Sequence, residues 1–167
     1  LVVLPGEGCR RVKRWALSDE VAEDVQPEVR RLDVCLDVCD GRMTHSLVHA
    51  AYDRGEFRGR GRSPKLRDEG TEQQGKTLYV GGRKKTEKMF RGYEKDKQVE
   101  CLRRKGRYHG PEVPIGTYRM EVEFKAQKRS FPWQWLRDRD AAFVGAYGFC
   151  ARTYGEVASS HMDRPTE

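Results

Sequence analysis

The chain has 167 residues, 35% of them charged, with 33 Lys and Arg against 26 Asp and Glu for a net charge of +7. That length suits one domain, and the basic excess fits a polyanionic partner, most simply nucleic acid, more than a merely solvated basic surface. No apolar run approaches the ~18 residues of a membrane-crossing helix, five cysteines behind no secretory signal read as free thiols in a reducing compartment, and a start without Met is that expected of a fragment or processed product.

Residues 1–15 read as a strand end and a Gly-containing loop. Ser18 is placed to cap a short helix through Glu23, which Pro27 closes. A strand follows over 29–39. Asp40-Gly41 makes a turn, and Thr44 caps a helix over 45–54 with Leu47, Val48 and Ala51 inward and Gly55 as its stop. Residues 55–76 read as a basic, mobile loop, either a solvated insertion or an arm that touches phosphates. A hairpin pairs 77–81 with 88–95 around a charged turn. A basic linker, 96–113, leads to a strand over 117–126. Pro132 then opens a helix reaching residue 147. The last residues, 155–167, read as a disordered tail, leaving 1–154 as a single domain. The fold class is α+β, a central antiparallel sheet with helices packed on one face.

Two of the strands carry the chemistry. Side chains i and i+2 of a strand share a face. In YRMEVEFK, residues 118–125, Arg119, Glu121, Glu123 and Lys125 therefore oppose Tyr118, Met120, Val122 and Phe124. In RLDVCLDVCDG, residues 31–41, Asp33, Cys35, Asp37 and Cys39 oppose Leu32, Val34, Leu36 and Val38. Folding explains the apolar rows. It does not ask for Glu-x-Glu, because two anions about 7 Å apart repel unless a cation or base lies between them. Oxygen-only ligands select Mg²⁺ or Mn²⁺, and Glu121 and Glu123 with Asp33 or Asp37 would supply them. Alternatively, arginines on an exposed sheet face pair with these carboxylates. Asp33 and Asp37 stand about 13 Å apart along a strand, too far to share one ion, and Cys35 and Cys39 are equally separated.

Two other patterns carry less weight. Residues 70–77, GTEQQGKT, match the Walker A phosphate loop letter for letter, but that loop needs a buried strand before it and a helix after it, and neither is expected here. His45 and His49 are spaced i, i+4 on a helix without an obvious third ligand and read as surface histidines.

The string GKTLYVGGRKKTEKMFRGYEKDKQ, then YRMEVEFK, the Phe-Pro-Trp segment and FVGAYG, resembles the replication initiation factors of filamentous phages and rolling-circle plasmids. LPGEGCR, RRLDVCLDVCDG and THSLVHAAYDRGEF fit the same pattern in the same order. The resemblance spans roughly residues 4–150. It implies a rolling-circle DNA replication initiator in the cytoplasm of a bacterial host. Such an enzyme nicks one strand of single-stranded or hairpin origin DNA through a tyrosine–DNA covalent intermediate, with Mg²⁺ or Mn²⁺ as cofactor. Host helicase and polymerase would be further partners, and no membrane is involved. Tyr147, in the FVGAYG segment, is the preferred nucleophile. Tyr154 is the second choice, and Tyr93 is read as part of the sheet. Lys95, in Tyr-Glu-Lys, is expected near the scissile phosphate. Arg58, Arg60, Arg62, Lys65, Arg83, Lys84 and Lys85 are the expected DNA-binding residues. Two alternatives remain open. One is a water-using nuclease with Glu123-Phe124-Lys125 as its E-x-K and Asp37 as a remote acid. The other is a non-catalytic basic DNA-binding protein.

Overall fold

The computed structural model describes residues 13, 15–25, 28–58, 64–82, 87–127, 130–131, 133–136 and 138–162. Its elements are α1 (Trp15–Val25), β1 (Arg31–Val38), α2 (His45–Asp53), β2 (Leu66–Thr71), β3 (Gly75–Val80), β4 (Lys88–Glu94), α3 (Lys95–Arg104), β5 (Tyr118–Lys125), a 3-10 turn (Trp133–Leu136), α4 (Arg139–Val144) and α5 (Gly148–Met162). The strands form one antiparallel sheet in the order β1-β5-β4-β3-β2. The α+β architecture expected from the sequence is the one observed.

Alternation sets which face is dry. Tyr118, Met120, Val122 and Phe124 of β5 are all at most 3% exposed and join one apolar cluster with Leu32 and Val38 of β1, Phe90 of β4 and Leu78 and Val80 of β3. Val48 and Ala51 of α2, Ala142 and Phe143 of α4, and Phe149 and Cys150 of α5 complete that cluster. Phe57, just past α2, sits at its centre, with ring centroids 4.9 Å from Phe90, 5.1 Å from Phe149 and 5.5 Å from Tyr147.

Helix α2 begins as its sequence dictates. Thr44 is extended, and its hydroxyl accepts from the Leu47 amide at 3.2 Å, satisfying an amide that the first turn leaves orphaned. Gly55 follows with φ +83°. Val48 and Ala51 point inward, but Leu47 is 40% exposed and His45 takes the third inward position.

Several segments depart from the sequence expectation. Ser18 lies inside α1 rather than at its start, because that helix already begins at Trp15. The expected loop over 55–76 contains β2, an edge strand in which every residue but the half-buried Leu66 is exposed, and polar composition alone cannot reveal a strand of that kind. The Walker-like string is the β2–β3 hairpin itself. Gly70 pairs with Lys76 and Gly75 with Thr71, the two glycines having φ +99° and +87°, and a Cβ on Gly70 would stand 2.3 Å from the Gly75 carbonyl oxygen. The glycines thus serve a turn and not a phosphate. The supposed linker after residue 95 is α3, held by one buried side chain, Val99. The single helix expected over 132–147 is two shorter pieces, the 3-10 turn and α4. Asp138 caps α4 by accepting from the Ala141 amide, and Gly145 ends it. The tail expected to be disordered is helical through Met162.

Phe57→Ala should destabilise the fold by about 3–5 kcal/mol, the usual result of emptying an aromatic site in a packed core, read as a lower midpoint in urea with an unchanged slope.

Candidate nucleic-acid interface

The face of the sheet opposite α2, α4 and α5 is built from charged and aromatic rows. Directly opposed residues of antiparallel strands share a face. Asp33 faces Glu123, which faces Met89. Cys35 faces Glu121, which faces Arg91. Asp37 faces Arg119, which faces Tyr93. The rows continue from Arg91 to Tyr79 and Arg67, and from Tyr93 to Thr77 and Glu69. The sequence expectation that Glu121 and Glu123 share a face with Asp33 and Asp37 therefore matches the register.

What lies between those carboxylates is arginine and lysine. Arg31 reaches both Asp33, at 2.7 Å, and Glu123, at 2.8 Å. Lys125 takes the other oxygen of Glu123 at 2.5 Å. Arg91 bonds both oxygens of Glu121, at 2.6 and 2.7 Å. Arg119 clasps Asp37 through two nitrogens, each at 2.5 Å. The Arg119–Asp37 fork is the strong form of this contact. Among the described residues no three His, Cys, Asp or Glu side chains converge to hold an ion. The donor chemistry suits Mg²⁺ or Mn²⁺, but as arranged the four carboxylates do not fit a divalent ion, because this chain's own cations occupy the places between them.

Tyr93 and Lys95 lie at the edge of this cluster. Tyr93, the penultimate residue of its strand, lies among three cations. Arg91 lies 5.1 Å and the Lys95 amine 5.7 Å from its ring centroid, and Arg119 stands directly opposite it on β5. Burial raises the Tyr93 phenol above its ordinary range, and Arg119 and Arg91 pull against that rise. Burial also lowers the Lys95 ammonium, and the nearby Arg119 charge lowers it further. A lysine so placed gives up its proton more readily than one in water.

Tyr147 is elsewhere. It is in the apolar cluster on the helical face, 5% exposed, with its hydroxyl donating to the Lys88 carbonyl at 3.2 Å and the Lys88 amine over its ring at 4.6 Å. Burial holds its phenol well above the usual range. Tyr93 is just as buried, so burial does not separate the two. The sheet does: Tyr147 is on the far side from Glu121, Glu123 and Lys95. FVGAYG offered a tyrosine beside small residues, which is equally the signature of a tightly packed turn. Tyr154 also faces the core, stacked on Phe143 at 4.6 Å. Strand parity around Tyr93-Glu94-Lys95 was the signal that places a tyrosine on the carboxylate face.

Among the expected DNA-binding residues, Arg58 and Lys65 are exposed. Arg60, Arg62, Arg83, Lys84 and Lys85 lie outside the described residues. His45 is buried, not a surface residue, and its Nε2 meets Asp68 at 2.9 Å; His49 pairs with Asp53 at 3.1 Å.

A family model described as replication initiation factor matches residues 27–164. The chain belongs to the replication initiation factor family. Comparison with curated proteins and with solved structures gave no match. Membership makes origin DNA the partner of this replication initiation factor and initiation of replication its role. No helix among the described residues is long and apolar enough to cross a membrane.

Arg119→Gln removes the charge that restrains the Tyr93 phenol. Its titration midpoint, followed by NMR of ring-labelled tyrosine, should move up relative to wild type.

Proposed function

We propose that this replication initiation factor nicks single-stranded origin DNA through Tyr93. The observation that carries the reading is the location of Tyr93. It shares the polar sheet face with Arg91, Lys95, Arg119 and Glu121, a cluster with the charge to seat a phosphodiester. In this account Arg119 and Arg91 take the non-bridging phosphate oxygens and offset the charge that develops there. Lys95, in its neutral form, takes the Tyr93 proton as the phenolic oxygen forms a bond to phosphorus. The 3′ oxygen leaves with the electron pair of the broken P–O bond, and the 5′ phosphate stays on the tyrosine. The phosphotyrosine conserves the energy of the original diester, so a later 3′ hydroxyl can reseal the strand.

Tyr93→Phe should abolish the covalent protein–DNA adduct on a denaturing gel while leaving DNA binding in place. Tyr147→Phe should keep the adduct and lose about 1 kcal/mol of stability, the value of one hydrogen bond. Adduct in Tyr93→Phe with none in Tyr147→Phe would reverse the assignment.

The nicking rate should climb with pH as Lys95 loses its proton, with a midpoint below that of an ordinary lysine because burial favours the neutral amine. Lys95→Arg, which cannot give up its proton, should flatten that limb.

Mg²⁺ or Mn²⁺ can reach these carboxylates only by displacing their cation partners. Arg31→Gln frees Asp33 and one oxygen of Glu123, so calorimetric titration with Mn²⁺ alone should show tighter binding than wild type. Unchanged binding would place any ion elsewhere.

One observation favours a second reading. Glu123 and Lys125 lie on one face in contact, as the E-x-K of a water-using nuclease requires. That enzyme would cleave without adduct and would lose cleavage in Lys125→Ala.

A further inference from the structure

Tyr79 is the other tyrosine that strand parity sets on the polar face. It lies opposite Arg91 on one side and opposite Arg67 on the other. The Arg67 guanidinium carbon stands 4.4 Å from the centroid of its ring, and Glu69 holds the same guanidinium at 2.6 Å. The Arg67 side chain remains 56% exposed. Tyr79 is half-buried and outside the apolar cluster that holds the fold together. Core packing therefore does not account for an aromatic ring at this position.

We infer that the Tyr79–Arg67 stack is a binding site for one unpaired nucleobase of the DNA strand. The geometry supports this in three ways. A guanidinium centred 4.4 Å over a tyrosine ring brings two planar groups together, one of them cationic, and bases stack on such a shelf of planes whatever their sequence. The ion pair with Glu69 holds the shelf in place before a base arrives, so less side-chain freedom is lost on binding. The shelf also lies one diagonal step across β3 and β4 from Tyr93, about 7–8 Å between strand positions. A strand whose phosphate sits at Tyr93 can therefore lay a neighbouring base on Arg67. A duplex cannot, because its bases are already stacked on each other. The ligand class is a single-stranded stretch, read by base planes rather than base edges.

This placement rests on the reading that the polar face carries the strand, but its test does not depend on cleavage. Binding of a labelled twelve-residue thymidine oligonucleotide is compared by fluorescence anisotropy with an abasic oligonucleotide of the same length. The wild-type protein should prefer the thymidine strand by roughly tenfold, in the range of a single stacking contact. Tyr79→Ala should bind the two strands alike while its affinity for the abasic one is unchanged. Tyr79→Phe should keep the preference. Arg67→Lys, which retains the charge and loses the plane, should shrink the preference without altering the salt dependence of binding. Melting temperatures near wild type would establish that these variants are folded, as expected for a side chain outside the core. A wild-type protein indifferent to the bases, or a Tyr79→Ala variant that still prefers thymidine, overturns the site. A protein that shows the full base preference yet forms no adduct through Tyr93 overturns the tyrosine reading and leaves the shelf standing.

Discussion

Everything in this molecule hangs on strand β5 being paired on both sides. It lies between β1 and β4, and each of its eight residues is matched to a partner on β1. One row of its side chains is enclosed by helices, and the other is given over to charge. A slip of one residue would push Glu121 and Glu123 into the apolar cluster and Met120 and Val122 into water, so the register is strongly specified. The same alternation that builds the core therefore fixes the order of charges across the opposite face. Fold and site are two readings of one periodicity.

The charge arrangement has a consistent logic. Four carboxylates on one face would repel if left alone. Each instead meets a guanidinium or ammonium from an adjoining strand position, with Arg31 shared between Asp33 and Glu123. Partly exposed pairs of this type contribute modestly to stability. Their larger effect is to hold Arg91 and Arg119 at fixed positions around Tyr93. On the proposed reading, side chains already held in place need less reorganisation when a phosphate binds, which is where electrostatic assistance is most effective. The anions of this face thus position cations, whether or not they ever meet a metal.

The sequence showed β1, β4, β5 and α2 almost residue for residue, because alternation over eight positions and a Thr cap before an apolar stripe are local signals. It also showed which carboxylates share a face. It hid β2 and α3, since each is held by few apolar residues: Leu66 is only half-buried, and Val99 is the one buried side chain on its helix. Nothing periodic marks such elements. The position of Tyr147 was hidden for a different reason. A motif of small and aromatic residues around Tyr147 looks alike whether it lines a site or seals a core, and only the side of the sheet distinguishes them. The pairing of Arg31 with Glu123 across two strands is likewise a product of register that no local spacing announces.

Strand β4 passes into helix α3 with no loop between them: Glu94 is the last residue of one and Lys95 the first of the other. The junction behaves as a rigid elbow. Each residue of a helix advances about 100° around its axis, so one amino acid inserted at this point would swing Lys95 off the ring of Tyr93 and carry Val99 out of its buried seat. The hairpin tip at 72–74, exposed throughout, can absorb the same insertion with little cost. Tolerance to changes in length should therefore be uneven across the chain, with the stiffest point at the Glu94–Lys95 junction rather than in the core.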